Sequence, residues 1–124
     1  MTMSIIRLAL VAVTLAATTV YAGEADVIGV KVNEKGEDLF YFSVSVHHND
    51  EGWDHYADKW DVVAPDGTVL GTRILHHPHV NEQPFTRSLS GVKIPDTIET
   101  VTIRAHDSVH GYGGKTVTVE HLKP

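Results

Sequence analysis

The chain has 124 residues, with 16 acidic against 10 basic side chains, nine histidines and no cysteine. A formal charge of −6 argues against nucleic acid and anionic membrane surfaces as partners. The missing cysteines exclude disulfides, cysteine zinc sites and a lipid-bearing thiol, and the length fits one domain around one core.

Residues 1–22 carry Arg7, an apolar run over 8–17 broken by Thr14, and small residues ending in Val20-Tyr21-Ala22. This is the pattern of a secretory signal peptide cleaved after Ala22. Its apolar run is short for a bilayer span. The expected product is a single soluble domain, residues 23–124, periplasmic or secreted, with no membrane insertion after cleavage. Met1 and Met3 leave with the signal, so the mature chain has no sulfur ligand, and the loss of Arg7 takes its net charge to about −7.

Period-two alternation recurs through the mature chain, and no stretch has a helical period. Residues 26–32 read as a first strand ending in the turn-rich Asn33-Glu34-Lys35-Gly36. Residues 39–48 alternate most clearly, with Phe40, Phe42, Val44 and Val46 on one face and Ser43, Ser45 and His47 on the other. After a polar loop, residues 56–64 carry Trp60 and Val62 inward, and Pro65-Asp66-Gly67 joins them in a hairpin to residues 68–75. Residues 84–92 form a fifth strand. Residues 98–107 form a sixth with Val101, Ile103 and Ala105 on one face, and residues 115–121 a seventh. The pattern predicts an all-β, seven-stranded antiparallel sandwich of the immunoglobulin-like or fibronectin-III-like kind, with Trp60 in its core.

Short connections make successive strands antiparallel, so loops alternate between the two ends. The loops at 47–55, 76–83 and 108–114 then share one pole, which gathers His47, His48, His55, His76, His77, His79, His106 and His110 and leaves out His121. Imidazoles suit zinc and copper(II). His77 and His79, two apart around Pro78 in extended chain, point the same way, and His48 comes from the inward face of its strand. The candidate ligands are therefore His77, His79, His48, His106, His76 and His110, with zinc or copper(II) as the ion. Asp50, Asp54, Glu82 and Asp107 are placed to orient imidazole rings or to ligate. Each histidine alone has a plain structural use: His48 as a core residue, His55 as a loop residue, His106 on an outer face. Gly111, Gly113 and Gly114 predict a tight positive-φ turn, and Arg73 and Arg87 are expected to pair with Glu82 or Asp58.

The segments HHPHVNEQPFTRSLSGVKIP and RAHDSVHGYGGKTVTV resemble those of small exported bacterial β-sandwich proteins whose function is uncharacterised. The resemblance implies a secreted immunoglobulin-like domain and brings no catalytic residue. No Ser-His-Asp order, paired-carboxylate spacing or nucleophile elbow stands out, so binding is expected rather than catalysis. Two functions compete: an exported protein holding a divalent transition metal at the histidine pole, and a metal-free, pH-responsive module contacting an envelope protein.

Overall fold

A computed structural model describes residues 23–120 and 122. The signal-peptide reading of 1–22 and the placement of His121 lie outside them. All regular structure among these residues is β, and no helix is long and apolar enough to cross a membrane.

The strands are β1 (Asp26–Gly36), β2 (Leu39–His47), β3 (Ala57–Val63), β4 (Val69–Ile74), β5 (Phe85–Lys93), β6 (Val101–Asp107), β7 (Gly111–Tyr112) and β8 (Val117–Val119). One antiparallel sheet has the order β1-β2-β5. The other has the order β4-β3-β6-β7, with β8 also paired to β6. The core draws on both sheets, with Phe40, Phe42, Val44 and Val46 of β2 packed in one cluster with Trp60 and Val62 of β3 and Val101, Ile103 and Ala105 of β6. These are the rows that the alternation predicted, because a strand sends every second side chain to the same face.

Three local expectations change. The first turn is not at 33–36: β1 runs on through those residues, with register shifts after Val27 and Glu34, and the chain reverses at Glu37-Asp38. Asp38 takes a φ of 60° there, a conformation that its short polar side chain tolerates better than most. The loop at 108–114 contains the short strand β7, and the last strand is shorter than predicted. By contrast, Pro65-Asp66-Gly67 closes its hairpin as expected, with Gly67 N–H donating to the Ala64 carbonyl at 2.9 Å and Gly67 at a φ of 93°.

The glycine-rich segment also serves a different purpose. Of its glycines only Gly111 has a positive φ, 73°. Gly113 and Gly114 instead let residues 24–26 lie against them. A Cβ on Gly114 would sit 2.0 Å from the Ala25 carbonyl oxygen, and one on Gly113 would sit 2.3 Å from the Glu24 carboxylate. Val27 N–H donates to the Lys115 carbonyl (2.9 Å) and Lys115 N–H to Asp26 Oδ1 (2.7 Å), so residues 23–27 are clamped along this loop. A backbone oxygen has little room to retreat. Gly114→Ala is therefore expected to cost about 1–3 kcal/mol through overpacking, measured as a lower urea midpoint at unchanged slope.

Candidate metal centre

The pole is built where inward-facing rows run out of hydrophobic residues. On β2 the buried row Phe40, Phe42, Val44, Val46 continues to His48, itself only 2 % exposed. On β6 the row Val101, Ile103, Ala105 ends at Asp107, which is 0 % exposed. Ala57 opens β3 opposite Asp107, and His55 stands two residues before it. Ala25 and Val27 are buried at the start of the first sheet, and Gly23 stands two residues before Ala25. Four rows thus end together in two imidazoles, a carboxylate and a backbone carbonyl.

Their hydrogen bonds define the site. His48 Nδ1 lies 2.5 Å from Asp50 Oδ1 and His55 Nδ1 lies 2.7 Å from Glu51 Oε1, so each ring donates its Nδ1–H to a carboxylate. Each Nε2 then faces the centre. His55 Nε2 is 2.7 Å from Asp107 Oδ2, His48 Nε2 also meets that oxygen, and both Nε2 atoms lie 3.2 Å from the Gly23 carbonyl oxygen. Asp107 Oδ1 is occupied separately, accepting the backbone N–H groups of Val109 (2.6 Å) and His110 (2.7 Å), which leaves Oδ2 for the histidines.

With both Nδ1 protons committed and the rings neutral, every atom at the centre is an acceptor: two imidazole nitrogens, a carboxylate oxygen and a carbonyl oxygen. Such a group requires a cation, either protons on Nε2 or a metal ion. Donors bound at about 2.0–2.2 Å to one ion lie roughly 3 Å apart; the separations of 2.7 and 3.2 Å fit that spacing, whereas His48 Nε2 and Asp107 Oδ2 stand closer than two donors on one ion and must part to admit it. His48, His55 and Asp107 offer ligand atoms all within 4.8 Å of one another. His55, with its side chain 15 % exposed, gives the group an edge on solvent. The carboxylates on the two Nδ1 atoms are the supports that fix the tautomer of a metal-ligating histidine and strengthen it as a donor.

Protonation states follow the same geometry. Burial opposes charging of His48, but the Asp50 hydrogen bond and the charges of Asp107 and Asp50 outweigh it and raise its pKa. The hydrogen bond to Glu51 raises that of His55, with Asp107 adding to it. Burial would raise Asp107, yet the backbone donors of His110 and Val109 and the nearby histidines hold it low. Burial likewise works against Asp50, and its bonds to His48 and to the backbone of His79 and Ala57 hold it low.

Of the six histidines singled out from the sequence, the structure brings two to this group. His48 is at its centre. His110 lies at its edge, with its ring 5.0 Å from that of His55 and its Nδ1 3.3 Å from Asp107 Oδ1. The other four stand apart. His76 is exposed, and His77 turns Nδ1 onto the Pro78 carbonyl at 3.0 Å while its ring lies 4.6 Å from that of His79, on the same side as the alternation predicted. His79 is buried and stacks on Phe85 with ring centroids 4.1 Å apart, with neither ring nitrogen partnered. His106 sits on the opposite face of β6 from Asp107, with Nδ1 2.6 Å from Asp58 Oδ1. The loop at 76–83 supports the site instead of entering it: His79 N–H donates to Asp50 Oδ2 (2.6 Å), and Gln83 bridges the His79 carbonyl and the His48 amide (2.9 and 3.0 Å).

His55 and Gly23 are the members the sequence reading missed. His55 had one available signal, the shared parity with buried Ala57. Arg87 pairs with Glu82 at 3.1 Å as expected, whereas Arg73 donates to the Ser88 carbonyl at 2.6 Å.

Over 97 residues the chain is 41% identical to a protein of Halomicrobium mukohataei named "Putative lipoprotein". The match covers 78% of this chain and 47% of that protein, so this chain spans about half its relative's length. No family model and no solved structure matches.

The pKa directions fix how the metal-free protein responds to pH. His48 and His55, raised above 6.5, contribute stability that is full below that value and is lost as pH rises through their raised pKa values. Asp50 and Asp107, lowered below 3.8, contribute stability that is present above that value and lost as pH falls through their lowered ones. In excess chelator the melting temperature should therefore peak between about pH 4 and 6.5 and decline toward pH 9. Calorimetric scans across this range check it, and a melting temperature that climbs steadily from pH 6 to 9 would contradict it.

Proposed function

We propose that this is an exported, envelope-associated protein that binds a divalent transition metal, zinc or copper(II), through His48, His55 and Asp107. The observation that carries this reading is the meeting of two imidazole Nε2 atoms, the Asp107 carboxylate and the Gly23 carbonyl, with both histidines oriented from behind by carboxylates. Two imidazoles with oxygen donors suit these two ions. Export is supported by the signal-like first 22 residues and by the name of the Halomicrobium protein. The strand orders β1-β2-β5 and β4-β3-β6-β7 support a fibronectin-III-like sandwich as the scaffold.

The test is calorimetric titration of chelator-treated protein with zinc and with copper(II) at pH 7.5. Stoichiometric, submicromolar binding of one of them is expected. His48→Ala and His55→Ala should each abolish it, and His77→Ala and His106→Ala should leave it unchanged. Asp50→Asn should weaken it about 10- to 100-fold, as loss of the carboxylate behind a ligating histidine does. Binding that survives His48→Ala with undiminished affinity would overturn this site.

A second reading, a pH-responsive interaction module without metal, draws on the raised pKa values of His48 and His55 and on the apolar surface beside them. Trp53 is 65 % exposed in the loop that carries His55, and Val109 is 57 % exposed next to His110. That module would bind an envelope protein equally well in excess chelator, and chelator-sensitive binding would remove it.

A further inference from the structure

Gly23 is expected to be the first residue of the exported chain, and the fold seats it at the metal group. Its carbonyl oxygen lies 3.2 Å from the Nε2 atoms of both His48 and His55. The His110 ring packs against it so closely that a Cβ would fall 2.8 Å from His110 Cε1 and 2.9 Å from Nε2, so a larger residue here would push that ring aside. The clamp of residues 23–27 against Gly113, Gly114 and Lys115 holds it there.

We propose that Gly23 is itself a ligand, through its α-amine and carbonyl oxygen, and that removal of residues 1–22 completes the metal site. This rests on the metal reading above and on cleavage after Ala22. In the precursor the Gly23 nitrogen is an amide whose lone pair is delocalised into the preceding carbonyl, which makes it a poor donor. Hydrolysis of the Ala22–Gly23 bond adds one water: the carbonyl side becomes a carboxylic acid and the glycine nitrogen becomes a primary amine. That amine and the carbonyl oxygen of the same residue close a five-membered chelate ring on one ion. With His48 Nε2, His55 Nε2 and Asp107 Oδ2 the ion then has three nitrogen and two oxygen donors, a set that suits copper(II). Full affinity belongs to the processed protein, so the precursor holds metal at this site more weakly before export.

The test compares two proteins with copper(II) as the probe: one beginning at Gly23, released from a fusion so that nothing precedes it, and one retaining Tyr21-Ala22 ahead of it. Matching circular dichroism and matching metal-free melting temperatures establish that both are folded. The extended protein should bind at least about tenfold more weakly, a loss of roughly 1.4 kcal/mol. Its copper(II) absorption band should move to longer wavelength as an amine donor is lost. Equal affinities with superimposable spectra would overturn the role of Gly23 and leave the metal reading standing. Absence of binding by both proteins would instead remove the metal reading. An exported protein whose intact mass places its first residue elsewhere than Gly23 would overturn the coupling to processing.

Discussion

The pole of this protein depends on one buried carboxylate. Asp50 accepts from the His48 ring and the Ala57 amide through Oδ1 and from the His79 amide through Oδ2, so three separate stretches of chain converge on it. A buried charge is tolerable only when its oxygens are satisfied this fully, and here the satisfaction has a chemical consequence. An ionised Asp50 can only accept, so His48 must place a proton on Nδ1 and turn Nε2, as a bare donor or as an imidazolium, toward Asp107. Glu51 imposes the same choice on His55 from the solvent side. The tautomers of both central histidines are thus decided outside the site they form.

A second buried aspartate shows that burial alone does not make such a site. Asp61, on the outer face of β3, accepts from Thr72 and Tyr112 hydroxyls at 2.6 Å each and from Arg104 at 3.2 Å, while the Arg104 guanidinium lies 3.9 Å over the Tyr112 ring. Donors surround that carboxylate and close its chemistry. At Asp107 the backbone satisfies one oxygen and the other meets the Nε2 atoms of two imidazoles whose Nδ1 protons are given to Asp50 and Glu51. The difference between the two is that Asp61 meets fixed donors, whereas Asp107 Oδ2 meets imidazoles that can exchange a proton for another cation.

Much of the scaffold was legible in the sequence because sheet formation obeys a local rule. Alternation in residues 39–48 and 98–107 marked the two rows that supply the core, and Pro65-Asp66-Gly67 marked its hairpin. Antiparallel connection placed the histidine-bearing loops at one pole, where Asp50, His79, Gln83 and His48 do meet. The density of histidines in Leu75-His76-His77-Pro78-His79 drew attention to a loop that acts through its backbone. His77 and His79 do come together, with ring centroids 4.6 Å apart, but away from the group around Asp107, His77 bonding the Pro78 carbonyl and His79 stacking on Phe85. The more informative signals were quieter, a charged residue at the inward position of Asp107 and a histidine on the inward row at His48, since polar groups at core positions carry a cost that something must offset.

What the sequence by itself determined is the composition of inward and outward rows, the absence of cysteine and the end of the domain at which histidines collect. Those follow from residue type and a period of two. Tertiary structure alone decided which histidines share a centre, because His55 and Asp107 are 52 residues apart and Gly23 and His55 are 32 apart. Such distances close only through sheet register and the packing of one sheet on the other. It also decided that Gly113 and Gly114 serve close approach instead of a turn: their neighbour, the segment at 24–26, comes from the opposite end of the chain, and no local pattern can announce it.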